Sequence, residues 1–298
     1  MSAFVLAHIS DPHLSPLPRP TLRELMGKRA LGYFNWWRNR AAHHSRELAD
    51  ALIADLKAQH PDHIALTGDL VNIALESEFP PATAWLHALG TPEDVTLVPG
   101  NHDAYMRATF HRHTTDWAEY MSGDNAQSDA AVTFPFLRRR GPLALIGTST
   151  AVPTGPLLAT GRLGAEQRAR LAAMLDAIEP DAFRVLLIHH PLRSLKGLHK
   201  RMTDGPALIE LLRQHRVDLV LHGHDHRHSL AWFDGPHGKV PALGVPSASA
   251  VADGRDDAAA YNLLAIAHEG NAWRCDLRVR GVGADGRTIS ELRRERVL

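Results

Sequence analysis

The 298-residue chain carries a single cysteine, Cys275, so no internal disulfide can form and a reducing cytoplasm is the expected setting. Nor is there an excess of charge. Its 33 Lys and Arg balance 33 Asp and Glu, which argues against a general nucleic-acid binder with its basic surplus or patch. No apolar run approaches the roughly 18 residues of a membrane span. The stretch Phe4 to Ile9 lacks a basic leader and stops at Ser10-Asp11-Pro12, too short for a secretory signal core. What is present is an ordinary globular composition, 44% hydrophobic and 22% charged, sufficient for a sizeable core. Histidine is abundant at 20 residues, and only its placement carries meaning.

Short apolar runs alternate with amphipathic stretches, the pattern of a layered α/β fold. Strands are expected at residues 4–9, 64–67, 95–98, 143–146, 185–188 and 217–221. Helices are expected at 45–59, 82–89, 104–121, 165–178 and 206–214. From residue 229 short β-like runs lead to a helix expected at 288–296. The division expected is one catalytic domain over 1–280, with an insertion at 14–42, and a C-terminal appendage at 281–298.

Chemistry enters at the strand ends. Five strands run into polar clusters: Asp11-Pro12-His13, Gly68-Asp69-Leu70-Val71-Asn72, Gly100-Asn101-His102-Asp103, His189-His190-Pro191 and Gly223-His224-Asp225-His226. Ligands gather at the carboxyl ends of strands in α/β layers. Residues i and i+2 of an extended segment face the same side, so Asp11 with His13, and His224 with His226, can each present two donors to one small volume. Nitrogen and oxygen donors without thiolate suit Mn, Fe, Co or Zn. Seven such donors exceed one tetrahedral ion but fit two ions sharing a carboxylate, an arrangement suited to in-line displacement at phosphorus.

In that order the blocks resemble the calcineurin-like metallophosphoesterase superfamily: D-x-H, G-D-x-x-(D/N), G-N-H-(D/E), a lone His after a strand, and G-H-x-H. The resemblance covers residues 11–226 and implies a four-layer α/β/β/α sandwich with two divalent metal ions at the strand ends. It implies that Asp11, His13, Asp69 and His226 hold one metal and that Asp69, Asn101, His189 and His224 hold the other, with Asp69 bridging. A metal-bridging hydroxide would attack phosphorus in line, and His102 would stabilise or protonate the leaving oxygen.

Departures narrow the branch. Protein Ser/Thr phosphatases resemble G-D-x-V-D-R-G at the second block, whereas Asn72 followed by Ile73-Ala74 removes the carboxylate that orients their acid histidine. The metal-bound tyrosine of purple acid phosphatases is also missing at Asn72. The form Gly68-Asp69-Leu70-Val71-Asn72 with His189-His190-Pro191 is similar to the cyclic nucleotide phosphodiesterase and glycerophosphodiesterase branch, which implies a small phosphodiester substrate. Alternatives are a nuclease, a nucleotide-pyrophosphate or phospholipid-headgroup hydrolase and, from another class, a non-catalytic scaffold on the same fold.

Other residues have competing readings. Asn72, His190 and Arg193 are candidate substrate contacts, although His190 is equally suited to packing. Arg193 belongs to a cationic loop, Leu192 to Thr203, that either touches the ester or stays solvated. His8, His63 and His222 read as structural, His43-His44 as a solvated helix start, and Arg138-Arg139-Arg140 as a solvated edge. The insertion combines Arg19, Arg23, Lys28, Arg29, Arg38 and Arg40 with Tyr33, Phe34, Trp36 and Trp37. Such a segment can pack, form a homo-oligomer contact, cover a substrate or lie at a membrane surface.

Overall fold

The computed structural model describes residues 3–39, 43–127, 130–194, 196–252, 256–270 and 272–298. Arg40 of the insertion lies outside them. Twelve strands among the described residues form two six-stranded sheets. In the first, β1 (Phe4–Ile9), β2 (His63–Leu66) and β3 (Val95–Leu97) run parallel. It continues antiparallel from β1 through β10 (Ala260–Glu269) and β11 (Ala272–Val282) to β12 (Ile289–Arg296). In the second, β5 (Leu143–Gly147), β6 (Phe183–Leu187), β7 (Leu219–His222) and β9 (Gly238–Gly244) are parallel. The antiparallel strands β4 (Phe136–Arg140) and β8 (Ser229–Gly235) close its two edges.

Alternation along the second sheet sets the layers. Leu143, Leu145, Phe183, Val185, Leu187, Leu219 and Leu221 enter the core shared with the first sheet. Their neighbours Ala144, Ile146, Leu186 and Val220 face outward, as the two-residue period of a strand requires. There they meet Leu171 and Leu175 of α5 (Ala165–Ala177) and Leu208 and Leu212 of α6 (Gly205–Gln214). Leu52 and Leu56 of α2 (Arg46–Ala58) and Trp85, Leu86 and Leu89 of α3 (Phe79–Leu89) pack with the first sheet. Helix, sheet, sheet and helix are thus the four layers expected.

Local chemistry starts these helices. The Ser45 hydroxyl accepts from the Leu48 N–H at the head of α2, and Pro80-Pro81 occupy the first turn of α3, where a missing N–H costs little. Among the described residues of the insertion, α1 (Lys28–Asn39) is the α-helix.

Three expectations need correction. The helix expected at 288–296 is β12. A tight turn, in which the Gly283 N–H donates to the Thr288 oxygen and Gly286 has φ 70°, folds this run back on β11. The ladder to β11 overrides the helical preference of its charged residues. The helix expected at 104–121 is the short α4 (Phe110–Asp116) and a 3-10 turn at Ala118–Met121. Between them Trp117 is wholly buried, its ring 5.5 Å from that of Phe79 and its indole N–H bonded to Thr83. Arg138 is not solvated. It lies on β4, and its guanidinium donates to the carbonyl oxygens of Ser122, Pro92, Val95 and Glu119. No helix among the described residues is long and apolar enough to cross a membrane.

Candidate metal centre

The parallel strands of both sheets end at one edge, where Ser10, just past β1, bridges to Ser247, just past β9. The polar clusters meet there. Asp11, His13, Asp69, His224 and His226 all hold left-handed backbone, with φ between 38° and 68°. Non-glycine residues avoid this region unless the surroundings impose it, and such strain gathers at functional sites. Gly68, at φ 93°, admits no Cβ because the Gly100 backbone lies against it, and Gly223 sits directly on Ser10 and Asp11.

Three overlapping groups place their donor atoms within 4.8 Å of one another: Asp11, His13 and His226; His13, Asp69 and His102; Asp69, His189 and His224. Asp69 links the second and third groups. His226 Nε2 is 3.2 Å from Asp11 Oδ1, and His13 Nε2 is 3.8 Å from both Asp11 Oδ1 and Asp69 Oδ2. His189 Nε2 is 3.3 Å from Asp69 Oδ2 and 3.2 Å from Asn101 Oδ1. All seven sequence-predicted donors therefore converge.

The other nitrogen of each ring is engaged outside the cluster. His13 Nδ1 faces the Val71 oxygen, His189 Nδ1 the Thr67 oxygen, His226 Nδ1 the Asp256 carboxylate and His224 Nε2 the Lys200 oxygen. Each partner can only accept, so the outer nitrogen keeps its proton and the facing nitrogen is the one that binds a metal once the ring is neutral, as metal-binding imidazoles require. Asp11 Oδ1 is buried without a hydrogen-bond partner. An orphaned carboxylate oxygen among converging imidazole nitrogens fits a divalent cation.

The electrostatics agree. Burial opposes the charged form of His189, but the Asp69 and Asp11 carboxylates outweigh it and push the ring up to about 10. Burial likewise opposes a charge on His226, and Asp11 raises it above the ordinary histidine range. The two carboxylates resist the desolvation that would raise them, and stay below their ordinary range beside these rings.

His102 is held by its backbone N–H, which donates to Asp69 Oδ1 at 2.7 Å, and by Nδ1, which donates to the Asn72 carbonyl oxygen. A backbone carbonyl thus orients this ring. Its imidazole stacks on Tyr105 with centroids 5.8 Å apart. Asn72 donates its amide to the Leu14 oxygen, leaving Oδ1 buried and without a partner. Asn72, Asn101 and His102 form one wall of a cavity of about 570 Å³, which α1, Tyr105, Thr154 and residues 157–159 and 199–200 complete.

The remaining candidates lie elsewhere. His190 is wholly buried, with Nδ1 on the Thr150 hydroxyl and Nε2 on the Ala159 oxygen, and its ring packs 4.2 Å from that of His224. Arg193 is exposed and is not among the residues lining the cavity. His8 and His63 are strand residues bonded to Thr67 and Thr96, and His222 is buried beside Gly223. His44 corrects the expectation of a solvated helix start: it is 5% exposed, bonded to Ser249 at 2.7 Å, with its ring 5.0 Å from that of His13.

Sequence reasoning passed over three carboxylates. Asp256 orients His226. Asp103 accepts from the N–H groups of Asp69, Leu70, Val71 and Gly100, tying the loops after β2 and β3 together. Glu78 accepts from the N–H groups of Asn72, Ile73 and Leu75 and fixes the Asn72 carbonyl that holds His102. Only Asp103 carried a signal, being the last residue of the third block.

A family model described as calcineurin-like phosphoesterase matches residues 4–228. A probable cyclic nucleotide phosphodiesterase of a Synechococcus species is 27% identical over 237 residues, covering 77% of this chain and 81% of that protein. The purple acid phosphatase PPD1 from yellow lupin (Lupinus luteus) seeds superposes with a TM-score of 0.54 at 12% identity, over 94% of this chain and 52% of its own. Sulfate thiohydrolase SoxB of Thermus thermophilus gives a TM-score of 0.50 at 17% identity, over 92% and 56%. The chain spans about half the length of both solved structures, and likeness at these identities speaks to the fold alone.

Proposed function

This chain belongs to the calcineurin-like phosphoesterase family, and from that premise we propose that it is a phosphodiesterase working with two divalent metal ions. Asp11, His13, Asp69 and His226 would hold one ion, and Asp69, Asn101, His189 and His224 the other. The supporting observation is the convergence of donors from five strand ends with Asp69 between them. Ions of the Mn, Fe, Co or Zn type supply Lewis-acid polarisation of the phosphoryl group and a bound water of lowered pKa.

The chain's own groups do the rest. Second-nitrogen bonds to Val71, Thr67, Asp256 and Lys200 hold the four imidazoles against rotation. His102 stands where the cavity meets the cluster, and with Nδ1 donating to Asn72 its Nε2 is the atom that delivers a proton to the leaving alkoxide. The cavity beside it takes the half of the ester that does not react. A diester is favoured over a monoester by the second-block form ending in Asn72, and the Synechococcus relative, a probable cyclic nucleotide phosphodiesterase, is consistent with that choice.

Metal quantification together with turnover of bis(p-nitrophenyl) phosphate tests this reading. Two equivalents of metal and turnover abolished by chelation are expected. Metal-independent turnover, or full metal loading without turnover, would show the reading to be wrong, the latter outcome pointing to a scaffold.

A further inference from the structure

At 100° per residue α1 presents three faces. Tyr33 and Trp36 pack on Leu17, Ile73 and Leu75, and the buried Arg29 guanidinium donates to the Ile73 and Ala74 oxygens. Lys28, Leu31, Gly32 and Asn35 turn toward the cavity. The third face puts Phe34 and Trp37 into solvent at 55% and 65% exposure, with ring centroids 6.4 Å apart.

That apolar face continues into the cavity mouth. Leu31 belongs to both, and Leu157 and Leu158 line the same cavity while remaining 79% and 44% exposed. Leu157 holds φ 63°, a left-handed conformation unfavourable for leucine. Leu198, next to the lining residue His199, is 70% exposed. Isolated exposed leucines need no account, but a patch gathered at the mouth of a cavity does. Inside, the ionisable lining has one sign: Lys28, Lys200, His102 and His199, with no carboxylate among the described residues. The Lys28 ammonium lies 3.1 Å from Thr154 Oγ1 and 3.9 Å over the Tyr105 ring, and burial lowers it to about 8.

A basic interior opening through an aliphatic mouth matches an amphipathic anion. We propose that the non-reacting half of the substrate is a long aliphatic chain, making it a lipid-type phosphodiester. Its phosphate lies between His102 and Lys28, and its chain leaves over Leu31, Leu157 and Leu158 toward Phe34. This rests on the phosphodiesterase reading above. Asn35 and His199 are exposed polar groups in the same lining and could meet a base edge, so a nucleoside is the competing occupant, while the larger part of the exposed rim is the leucine surface of Leu31, Leu157 and Leu158.

The test compares the methyl, octyl and thymidine-5′ esters of p-nitrophenyl phosphate, all below micelle concentration, on the manganese-loaded full chain. Each methylene withdrawn from water strengthens binding by up to about fourfold, so octyl kcat/KM should exceed methyl by at least about tenfold. Leu157→Asp and Leu31→Asp should each lower the octyl-to-methyl ratio, whereas Leu292→Asp, on β12 outside the cavity, should leave it unchanged. Equal octyl and methyl values, preference for the thymidine ester over octyl, or an unchanged ratio in both mouth variants would overturn the lipid assignment alone. Turnover of none of the three would overturn the phosphodiesterase reading and this assignment with it.

Discussion

The Nε2 atoms of His13 and His226 lie 3.2 Å apart, although each ring has its Nδ1 on another acceptor. With those Nδ1 atoms protonated and both rings neutral, two lone pairs would face each other in a dry site beside Asp11 Oδ1. One proton relieves part of this repulsion, and a divalent cation relieves all of it.

Asp256 is the lever on that pair, because its carboxylate sets the His226 tautomer from outside the cluster. Asp256→Asn should weaken metal binding by about 10- to 100-fold while leaving the fold intact. Competition with a chelator, alongside circular dichroism, measures both quantities. An unchanged metal affinity would show that Asp256 does not position His226.

Metal binding should release protons. Without metal His189, raised to about 10, is charged at neutral pH, and a ligand must give that proton up. Titrating manganese into weakly buffered metal-free protein at pH 7.5 should acidify the solution. The sign for stability follows from the raised folded value. His189 stabilises the metal-free protein fully below its unfolded value of about 6.5, and that contribution is lost as pH rises through 10. The melting temperature of metal-free protein should therefore fall over this window, more steeply than that of loaded protein.

His102→Ala removes the proposed proton donor while sparing all seven proposed ligands. Turnover of a diester with an alkoxide leaving group should drop by about 10²- to 10⁴-fold, and that of a p-nitrophenyl ester much less, since nitrophenolate needs no proton. Equal losses for the two would indicate a positioning role for His102.

Acid should unfold the protein through buried histidines that are not among the seven proposed ligands. Burial, aided by neighbouring positive charge, lowers His8 and His63 to about 3, and burial lowers His113 to about 4. Depressed folded values mean that the unfolded chain binds these protons first. Stability is fully present above about 6.5 and declines as pH falls toward 4, by up to about 1.4 kcal/mol per pH unit for each ring. Urea unfolding at pH 7, 6 and 5 measures the slope, and a flat profile would contradict it.

The site was legible wherever its chemistry is local in sequence. Asp11 and His13, or His224 and His226, announce themselves by spacing, and strand ends are where α/β layers collect ligands. Asp256 gave no such signal, because its partnership with His226 exists only after the chain has folded. His44 looks like any polar residue before an N-cap until the loop carrying Ser249 packs against it. Arg138 illustrates the reverse: a basic run reads as solvated, yet four carbonyl oxygens at the edge of β4 give its guanidinium a buried home. The helix expected at 288–296 failed because hairpin pairing with β11 was decided by a turn, which the charge pattern of the run does not encode.

The most direct measurement is an anomalous difference map from crystals of the manganese-loaded protein. Two peaks are predicted, one among Asp11, His13, Asp69 and His226 and one among Asp69, Asn101, His189 and His224, with the Asp69 carboxylate touching both. A single peak, or none at these residues, would contradict a two-metal centre.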